Sequence, residues 1–198
     1  MKNEERREIT TRKLLEATKA LLKEKGCHAI TMKDIMEQSS LSKGAIFHYV
    51  KSKDEIYAMV LHERLEETNT KFMQETEHAV KSFEGPMQSI AHNLIALEDS
   101  HDITNKILKY LLGKEDDPTV AEVLQHFYER SVSFAKNWIT IGQLHGVIMD
   151  HVNPDQTAEM FVLLSLGLRV RSSFASTTTQ VSTEVSTFMS TILKNQSK

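Results

Sequence analysis

The chain is poor in the features of disulfide-stabilised or membrane-spanning proteins. Among its 198 residues Cys27 is the only cysteine, so no disulfide can form within the chain. We expect Cys27 to be a small packed residue rather than a redox switch. The longest apolar stretch, residues 160–168, is far shorter than the roughly 20 residues of a membrane-spanning helix. Because the charged N-terminus also lacks the apolar core of a signal peptide, we expect a soluble, cytoplasmic protein.

Helix-breaking residues are scarce too. There are three prolines and seven glycines, and no run alternates between polar and apolar residues as half-buried strands do. Apolar residues recur instead at helical spacing, and Pro154 follows Asn153, a good residue for capping a helix start. We therefore predict an all-α fold of about nine helices. Their predicted ranges are 9–25, 31–38, 42–49, 53–82, 86–100, 102–112, 118–144, 154–175 and 178–195.

Motifs that would indicate an enzyme are mostly missing. The sequence has no Gly-rich phosphate loop, no cysteine set with zinc-ligand spacing and no nucleophile elbow. Two Glu-x-x-His pairs have the spacing of di-iron carboxylate sites in helical bundles, but they lie in polar stretches typical of solvated helix faces. These pairs, and the glutamates that would complete such a site, are Glu75/His78, Glu98/His101, Glu129 and Glu159. We expect no enzymatic activity, no metal and no cofactor.

Positive charge is concentrated near the N-terminus. The overall net charge of −3 combines +5 over residues 1–53 with −8 over the remainder. A local excess of lysine and arginine is typical of a surface that binds nucleic acid, whereas the acidic remainder should repel phosphate. The first third of the chain is therefore the expected nucleic-acid face.

Residues 31–53 predict two short helices joined by a tight turn. Thr31 can cap the first helix and Ser42 the second, whose Ile46 and Val50 would face inward. Small residues and a lysine then occupy the start and outer face of the second helix. A short helix of this kind can enter the major groove of DNA.

With these residues the sequence resembles the DNA-binding domain of the tetracycline-repressor (TetR) family of bacterial transcription regulators. The resemblance covers roughly residues 8–68 and rests on an ordered set of positions: Gly26, Thr31, Ile35, the triplet 42–44, the aromatic cluster 47–49 and Lys53. It implies an N-terminal three-helix helix-turn-helix domain at 8–68, with the motif at 31–50. A larger C-terminal helical domain at 69–198 would bind an effector and form the dimer.

Three positions depart from the family's usual pattern. Ser40 stands where the family commonly has glycine, and a positive φ there would cost on the order of 1 kcal/mol. Phe47 lacks the hydroxyl of the usual tyrosine, which Tyr49 could supply two residues later, and Val50 replaces an aromatic residue. We expect the docking mode to survive these changes and the detailed contacts to differ.

The resemblance implies a role for each residue on the DNA face. Thr31 and Lys53 would bind phosphates at helix N-termini, and Ser42 would either do the same or only cap its helix. Lys43 can reach a guanine edge or a phosphate. The full predicted set is Thr31, Ser42, Lys43, Gly44, Ala45, Phe47, His48, Tyr49 and Lys53.

The C-terminal domain would hold an unknown, apolar or aromatic effector. Its candidate pocket residues, each of which could equally be ordinary core, are Phe83, Met87, His92, Tyr110, Phe127, Phe134, Trp138 and Phe161. The candidate dimer interface uses the last two helices, although the final helix could instead pack only on its own core. The interface residues are Phe161, Leu164, Leu168, Val181, Val185, Phe188 and Ile192.

Two questions stay open at this level. Arg169 and Arg171 lie in the most apolar predicted helix, and each needs either an acidic partner or an anionic ligand. The function implied is that of a homodimeric repressor, released from a palindromic operator in double-stranded DNA by a small-molecule effector. The alternatives are a constitutive DNA-binding protein without an effector and, far behind it, the di-metal oxidase.

Overall fold

The computed structural model describes residues 3–77, 82–174 and 181–194, which form nine α-helices and no strand. This confirms the predicted all-α fold. In order, the helices are α1 (Asn3–Glu24), α2 (Met32–Ser39), α3 (Lys43–Phe47), α4 (Lys53–Thr76), α5 (Glu84–Leu97), α6 (Ile103–Leu112), α7 (Pro118–Leu144), α8 (Pro154–Arg171) and α9 (Ser182–Leu193). No helix in these described ranges is long and apolar enough to cross a membrane.

Several helix boundaries differ from the predicted ones. The prediction that the third helix reaches residue 49 was wrong, because the N–H groups of Tyr49 and Val50 both bond to the Ile46 carbonyl, at 2.9 and 3.1 Å, and turn the chain. The first helix starts at Asn3, not residue 9. The predicted helices 53–82, 154–175 and 178–195 extend onto positions that lie outside the described residues.

The start of α8 follows the predicted capping pattern. Asn153 has extended backbone, and its side chain accepts a hydrogen bond from the N–H of Gln156 at 3.1 Å. Pro154 occupies the first helical position, where its missing N–H costs nothing.

The chain divides into two compact units. Residues 1–64 and 106–127 form unit 1, and residues 65–105 and 128–198 form unit 2. The predicted domains were contiguous at 8–68 and 69–198, whereas unit 1 also takes in a segment from α6 and α7.

Each unit has its own core. In unit 1 the helix-turn-helix residues Ile35 and Ile46 are fully buried, as are Leu14, Leu22 and Ile56. In unit 2 an apolar core cluster joins α5, the second half of α7, α8 and α9. Its buried members are Phe83, Met87, Leu94, Ala135, Ile139, Ile148, Val152, Ala158, Phe161, Val162, Leu168, Met189 and Leu193.

Candidate nucleic-acid interface

The first element of the site is the N-terminus of α2. The Thr31 hydroxyl accepts a hydrogen bond from the N–H of Asp34 at 3.2 Å, while the Asp34 carboxylate accepts from the Thr31 N–H at 2.8 Å and from its hydroxyl at 2.7 Å. The ammonium of Lys25 lies 2.7 Å from the same carboxylate. Hydrogen bonds from Lys25 and then Thr31 hold the pKa of Asp34 well below its usual range. The start of α2 is thereby fixed by a charged capping box.

The turn that follows contains the positive φ anticipated from the sequence. Ser40 has φ 55° and ψ 30°, the left-handed conformation, and its N–H bonds to the Glu37 carbonyl at 3.3 Å. Serine pays a steric cost in this conformation that glycine avoids. Two residues later, Ser42 caps α3 by accepting from the N–H of Ala45 at 3.2 Å. Capping is thus the role of Ser42 that the structure displays.

The five-residue helix α3 presents a polar and aromatic outer face. Its inner side chain, Ile46, is buried, and so is Val50 just beyond it. The Lys43 ammonium lies 5.6 Å from the centre of the Phe47 ring, which is about two-fifths exposed at 42%. The remaining predicted contacts are exposed at Ser42, Lys43, Gly44 and His48 and half-buried at Ala45 and Tyr49.

Gly44 has room around it in the protein itself. A Cβ atom added to this glycine would meet no atom within 4 Å, and its φ is not positive. Neither internal packing nor backbone conformation therefore requires glycine at this position. The missing side chain leaves room for the close approach of another molecule.

Lys53 has partners that the sequence did not predict. Its ammonium donates to the carbonyls of Cys27, His28 and Ile30 at 3.1, 3.5 and 2.8 Å. It also lies 6.0 Å from the ring centre of Tyr57 and 5.4 Å from that of Tyr110. The ammonium therefore points towards the loop between α1 and α2.

The remaining groups at the start of α4 are also held by the protein. Ser52 accepts from the N–H of Glu55 at 3.2 Å, and the Glu55 carboxylate accepts from the N–H of Lys51 at 2.8 Å. The Asp54 carboxylate accepts from the ammonium of Lys114 and, at 2.9 Å, from the hydroxyl of Tyr110. The hydrogen bond to Asp54 is the main cause that raises the pKa of Lys114. Both carboxylates therefore have partners within the protein.

Cys27 belongs to this same cluster. Its carbonyl accepts hydrogen bonds from the Lys53 ammonium and, at 2.9 Å, from the Tyr57 hydroxyl. The side chain is buried, and burial raises the pKa of the thiol. Sequence reasoning did not find Asp54, Tyr57 or Lys114, because their partners are far away along the chain.

The candidate pocket residues fall into different surroundings. Tyr110 and Phe127 lie in unit 1, where Tyr110 bonds to Asp54. In unit 2, Phe83, Met87 and Phe161 belong to the apolar core, and His92 is exposed.

The other two candidates in unit 2 have specific partners. Phe134 is buried beneath the Arg130 guanidinium, whose carbon lies 4.2 Å from the ring centre. The Trp138 ring stacks on Phe72 at 4.4 Å, and its indole N–H donates to Asn69 at 2.8 Å.

The candidate interface residues also differ in how deeply they are buried. Phe161 and Leu168 are buried in the core of their own unit, and the partly buried Leu164, Val181, Val185 and Ile192 pack against it. Phe188 is half exposed, at 49%.

The exposed apolar side chains at α8 are ones that sequence reasoning missed. Leu163 and Val170, 56% and 44% exposed, lie seven residues apart on one side of the helix, and Phe174, 64% exposed, follows in the next turn. We name Leu163, Val170 and Phe174 the apolar patch. Gly167 lies between the first two and is itself exposed.

The two arginines of α8 have protein partners. Arg171 donates to the Glu98 carboxylate at 2.7 Å, and that carboxylate also accepts from the N–H groups of Val181 and Ser182 at 3.0 and 2.9 Å. Arg169 donates to the buried Asn105 at 2.8 Å.

These contacts bear on the hypothetical di-metal site. Glu98 is committed to Arg171 and α9, and His78 lies outside the described residues. Across the described ranges, no group of three or more metal-ligating side chains could hold an ion.

Comparison with known proteins identifies relatives in both sequence and structure. Residues 14–60 match the model of "Bacterial regulatory proteins, tetR family". The uncharacterized HTH-type transcriptional regulator YfiR of Bacillus subtilis (strain 168) is 35% identical over 65 residues, which span 33% of this chain and 32% of YfiR. That match thus spans about a third of the relative's length.

Two further similarities extend over most of the chain. The HTH-type transcriptional regulator UidR of Escherichia coli (strain K12) is 20% identical over 166 residues, covering 80% of this chain and 79% of UidR. The structure of Salmonella enterica GusR is similar with a TM-score of 0.64 at 21% identity, covering 93% of this chain and 95% of GusR. The helical fold is therefore shared beyond the region matched by the family model.

Proposed function

Because the chain belongs to the TetR family of bacterial regulatory proteins, we propose that it represses transcription as a homodimer bound to an operator. A small-molecule effector would release it from the DNA. Its named relatives are transcriptional regulators, so the chain is a regulator and not an enzyme. The observation that carries the proposal is α3, a short helix with an exposed, lysine-bearing face anchored by the buried Ile46. Its partner is double-stranded DNA, and it would act in the cytoplasm.

The geometry supports different roles for different groups on the DNA face: some would bind phosphates and others would contact bases. Apart from the amides of Asp34 and Glu55, which bond to capping hydroxyls, the first-turn amides of α2 and α4 can bind phosphates and set the position of the protein. Lys43, Gly44 and Ala45 at the start of α3 would approach the base edges. Lys43 would bond to a guanine or a phosphate, and the missing side chain of Gly44 would allow close contact. His48 and Tyr49 would bind the flanking phosphates.

Dimerisation is supported by the apolar patch in unit 2. Regulators of this family form dimers, and a second copy of the chain is the partner that would cover Leu163, Val170 and Phe174. Exposed apolar patches on soluble proteins commonly mark such interfaces. A dimer that binds successive major grooves would hold its two recognition helices about 34–36 Å apart, or a multiple of that distance.

The effector would bind in unit 2, where aromatic and methionine side chains favour an apolar or aromatic compound. It can weaken operator binding only by the difference in its affinity for the two states of the protein. Trp138 is the only tryptophan in the chain and packs against Phe72, so its fluorescence is a direct reporter for ligand screening.

The test is selection of bound duplexes from a pool of random-sequence DNA at moderate salt. Enrichment of a palindromic sequence that resists competitor DNA is the expected result. Failure to enrich any sequence with the dimer would overturn the proposal of a sequence-specific regulator. Compounds that quench the fluorescence of Trp138 would then be added to the selected protein–DNA complex. Loss of the complex is expected for an effector, whereas a complex that no compound alters would favour the constitutive DNA-binding alternative.

A further inference from the structure

Lys53 connects the N-termini of two helices that the proposed function assigns to DNA phosphates. It is the first residue of α4, and its ammonium reaches the loop that ends at Thr31, where α2 begins. We propose that Lys53 is a positioning residue that aligns the two helix starts and does not itself bind a phosphate. This inference rests on the proposed DNA-binding function and changes the role that the family resemblance implies for this lysine.

The strongest link passes through one peptide group. The carbonyl of Ile30 accepts from the Lys53 ammonium at 2.8 Å, and the N–H of the same peptide, which belongs to Thr31, donates to the Asp34 carboxylate at 2.8 Å. A peptide that accepts from a cation and donates to an anion is polarised, which strengthens both hydrogen bonds. The first residue of α4 and the capping box of α2 are therefore joined by two charge-assisted hydrogen bonds through one peptide plane.

A second link fixes the other end of the loop. The Cys27 carbonyl accepts from the Lys53 ammonium and from the hydroxyl of the buried Tyr57, one helical turn further along α4. Two side chains of α4 thus hold the loop through the carbonyls that precede α2. Movement of either helix start would break several of these bonds.

The donor count argues against a phosphate contact. A lysine ammonium has three N–H donors, and three carbonyls lie within hydrogen-bond distance of it. The nearby rings of Tyr57 and Tyr110 further favour the cation in this position. A phosphate could bind Lys53 only at the expense of a bond that holds the loop.

The experiment measures the salt dependence of binding to the duplex selected by the wild-type protein. The variant is Lys53→Met, and the concentration of active dimer is first determined by stoichiometric titration. We expect its affinity per active dimer to fall at least about tenfold, because charge-assisted hydrogen bonds are lost. The slope of log affinity against log salt concentration should remain that of the wild type. A slope reduced by about 0.9 would make Lys53 a phosphate ligand and overturn the inference.

Two lysines provide matched controls. Lys43→Met removes a proposed DNA contact from α3, so it shows the slope change caused by losing a lysine that touches the DNA. Lys51→Met removes the same charge as Lys53→Met from an exposed side chain two residues earlier, and its affinity should stay near that of the wild type. If Lys53→Met also binds normally once active protein is counted, Lys53 only supports folding and the inference fails.

Tyr57→Phe tests the same link in a variant that keeps the buried ring. It removes only the hydroxyl that donates to Cys27, so the protein should fold even if Lys53→Met does not. We expect about threefold to tenfold weaker binding with an unchanged salt slope. Unchanged affinity in Tyr57→Phe would contradict the proposed alignment. Sequence selection by the wild-type protein tests the DNA-binding function separately, so failure of either proposal can be recognised.

Discussion

Ser40 is a single residue whose backbone conformation does not suit its side chain. It has φ 55° at the turn between α2 and α3, and the structure describes no internal packing for its exposed side chain. Ser40→Gly should stabilise the protein by about 1 kcal/mol, because glycine adopts this conformation without steric cost. Thermal unfolding followed by circular dichroism measures the change.

The neighbouring serine provides a control for this prediction. Ser39 is buried in the last turn of α2, with ordinary helical backbone, and its hydroxyl bonds to the Met36 carbonyl at 3.3 Å. Ser39→Gly should therefore lower the melting temperature. If Ser40→Gly also lowered it, the left-handed conformation would not be a source of strain in the folded protein.

A substitution of Gly44 can distinguish a requirement of the fold from a requirement of DNA binding. Its position has room for a methyl group, and alanine favours helix more than glycine does, so Gly44→Ala should leave stability unchanged or raise it by up to about 1 kcal/mol. The same variant should bind the selected duplex at least about tenfold more weakly, because the methyl group would separate α3 from the bases. Thermal unfolding and gel-shift titration of one sample measure both effects. Normal binding would show that close backbone approach is not the reason for this glycine.

Residue patterns predicted the caps and the buried side chain of the helix-turn-helix but not the partners of Lys53. The spacing of Thr31, Ser42 and Ile46 indicated two caps and a buried side chain, all within a few residues of one another. The carbonyls that bind Lys53 lie 23–26 residues earlier in the chain. A lysine at a helix start has the same local pattern whether its ammonium faces DNA or an internal loop, so sequence could not distinguish these cases.

At the scale of elements, the Glu98 carboxylate holds the start of α9, whose apolar side chains pack in the core of unit 2. Burial alone would raise the pKa of Glu98, but hydrogen bonds from Ser182 and Val181 and the charge of Arg171 outweigh it and lower the pKa. Glu98→Gln should lower the free energy of unfolding at pH 7 by about 2 kcal/mol. Since the native pKa lies below the unfolded value, the wild-type advantage should shrink as the pH falls below 4.5 through the native pKa.

Urea unfolding of both proteins at pH 7 and pH 3, followed by Trp138 fluorescence, measures this difference. Glu84→Gln is the matched control, because Glu84 pairs with Lys194 at the other end of α9 through an exposed ion pair of 3.0 Å. Its effect should be much smaller than that of Glu98→Gln, because water and salt screen an exposed ion pair. An equal loss of stability from both variants would mean that Glu98 has no special role in holding α9.

In helix α8 the periodicity of hydrophobic residues does not predict which side is exposed. Its cap at Asn153 and first residue Pro154 were predicted correctly, because both signals are local. The sequence does not indicate which side of α8 reaches the surface, since a helix that is apolar nearly all round has no single direction of hydrophobicity. Phe161 and Leu168, chosen for an interface, are buried in their own unit, while Leu163 and Val170 reach the surface.

For the whole molecule, the exposed side of α8 predicts how two copies associate. Val170→Asp would place a charge within the apolar patch, and burying it without a partner would cost more than a stable interface gains. We expect monomers in light scattering and loss of high-affinity operator binding. Leu144→Asp is the control, because Leu144 is 80% exposed at the end of α7, outside the patch. A dimer that survives Val170→Asp would exclude this patch as the interface.

The set of chain segments that form unit 1 is also a property of the whole chain, and no local sequence pattern predicts it. The sequence resemblance ended near residue 68, but residues 106–127 group with the N-terminal helices. Tyr110 is a predicted pocket residue because aromatic side chains suit an apolar or aromatic ligand. Its hydroxyl bonds to Asp54, 56 residues earlier, and only the folded chain brings these side chains together.

The burial of Cys27 makes the chain well suited to site-directed labelling. Thiol reagents attack the exposed thiolate, and this thiol is covered while burial raises its pKa. A second cysteine placed at an exposed position, such as Gln38, would therefore be modified selectively without first removing the native one. A dimer carrying one spin label on each copy would report the separation of its two helix-turn-helix motifs directly. The same sample would show how an added compound changes that separation.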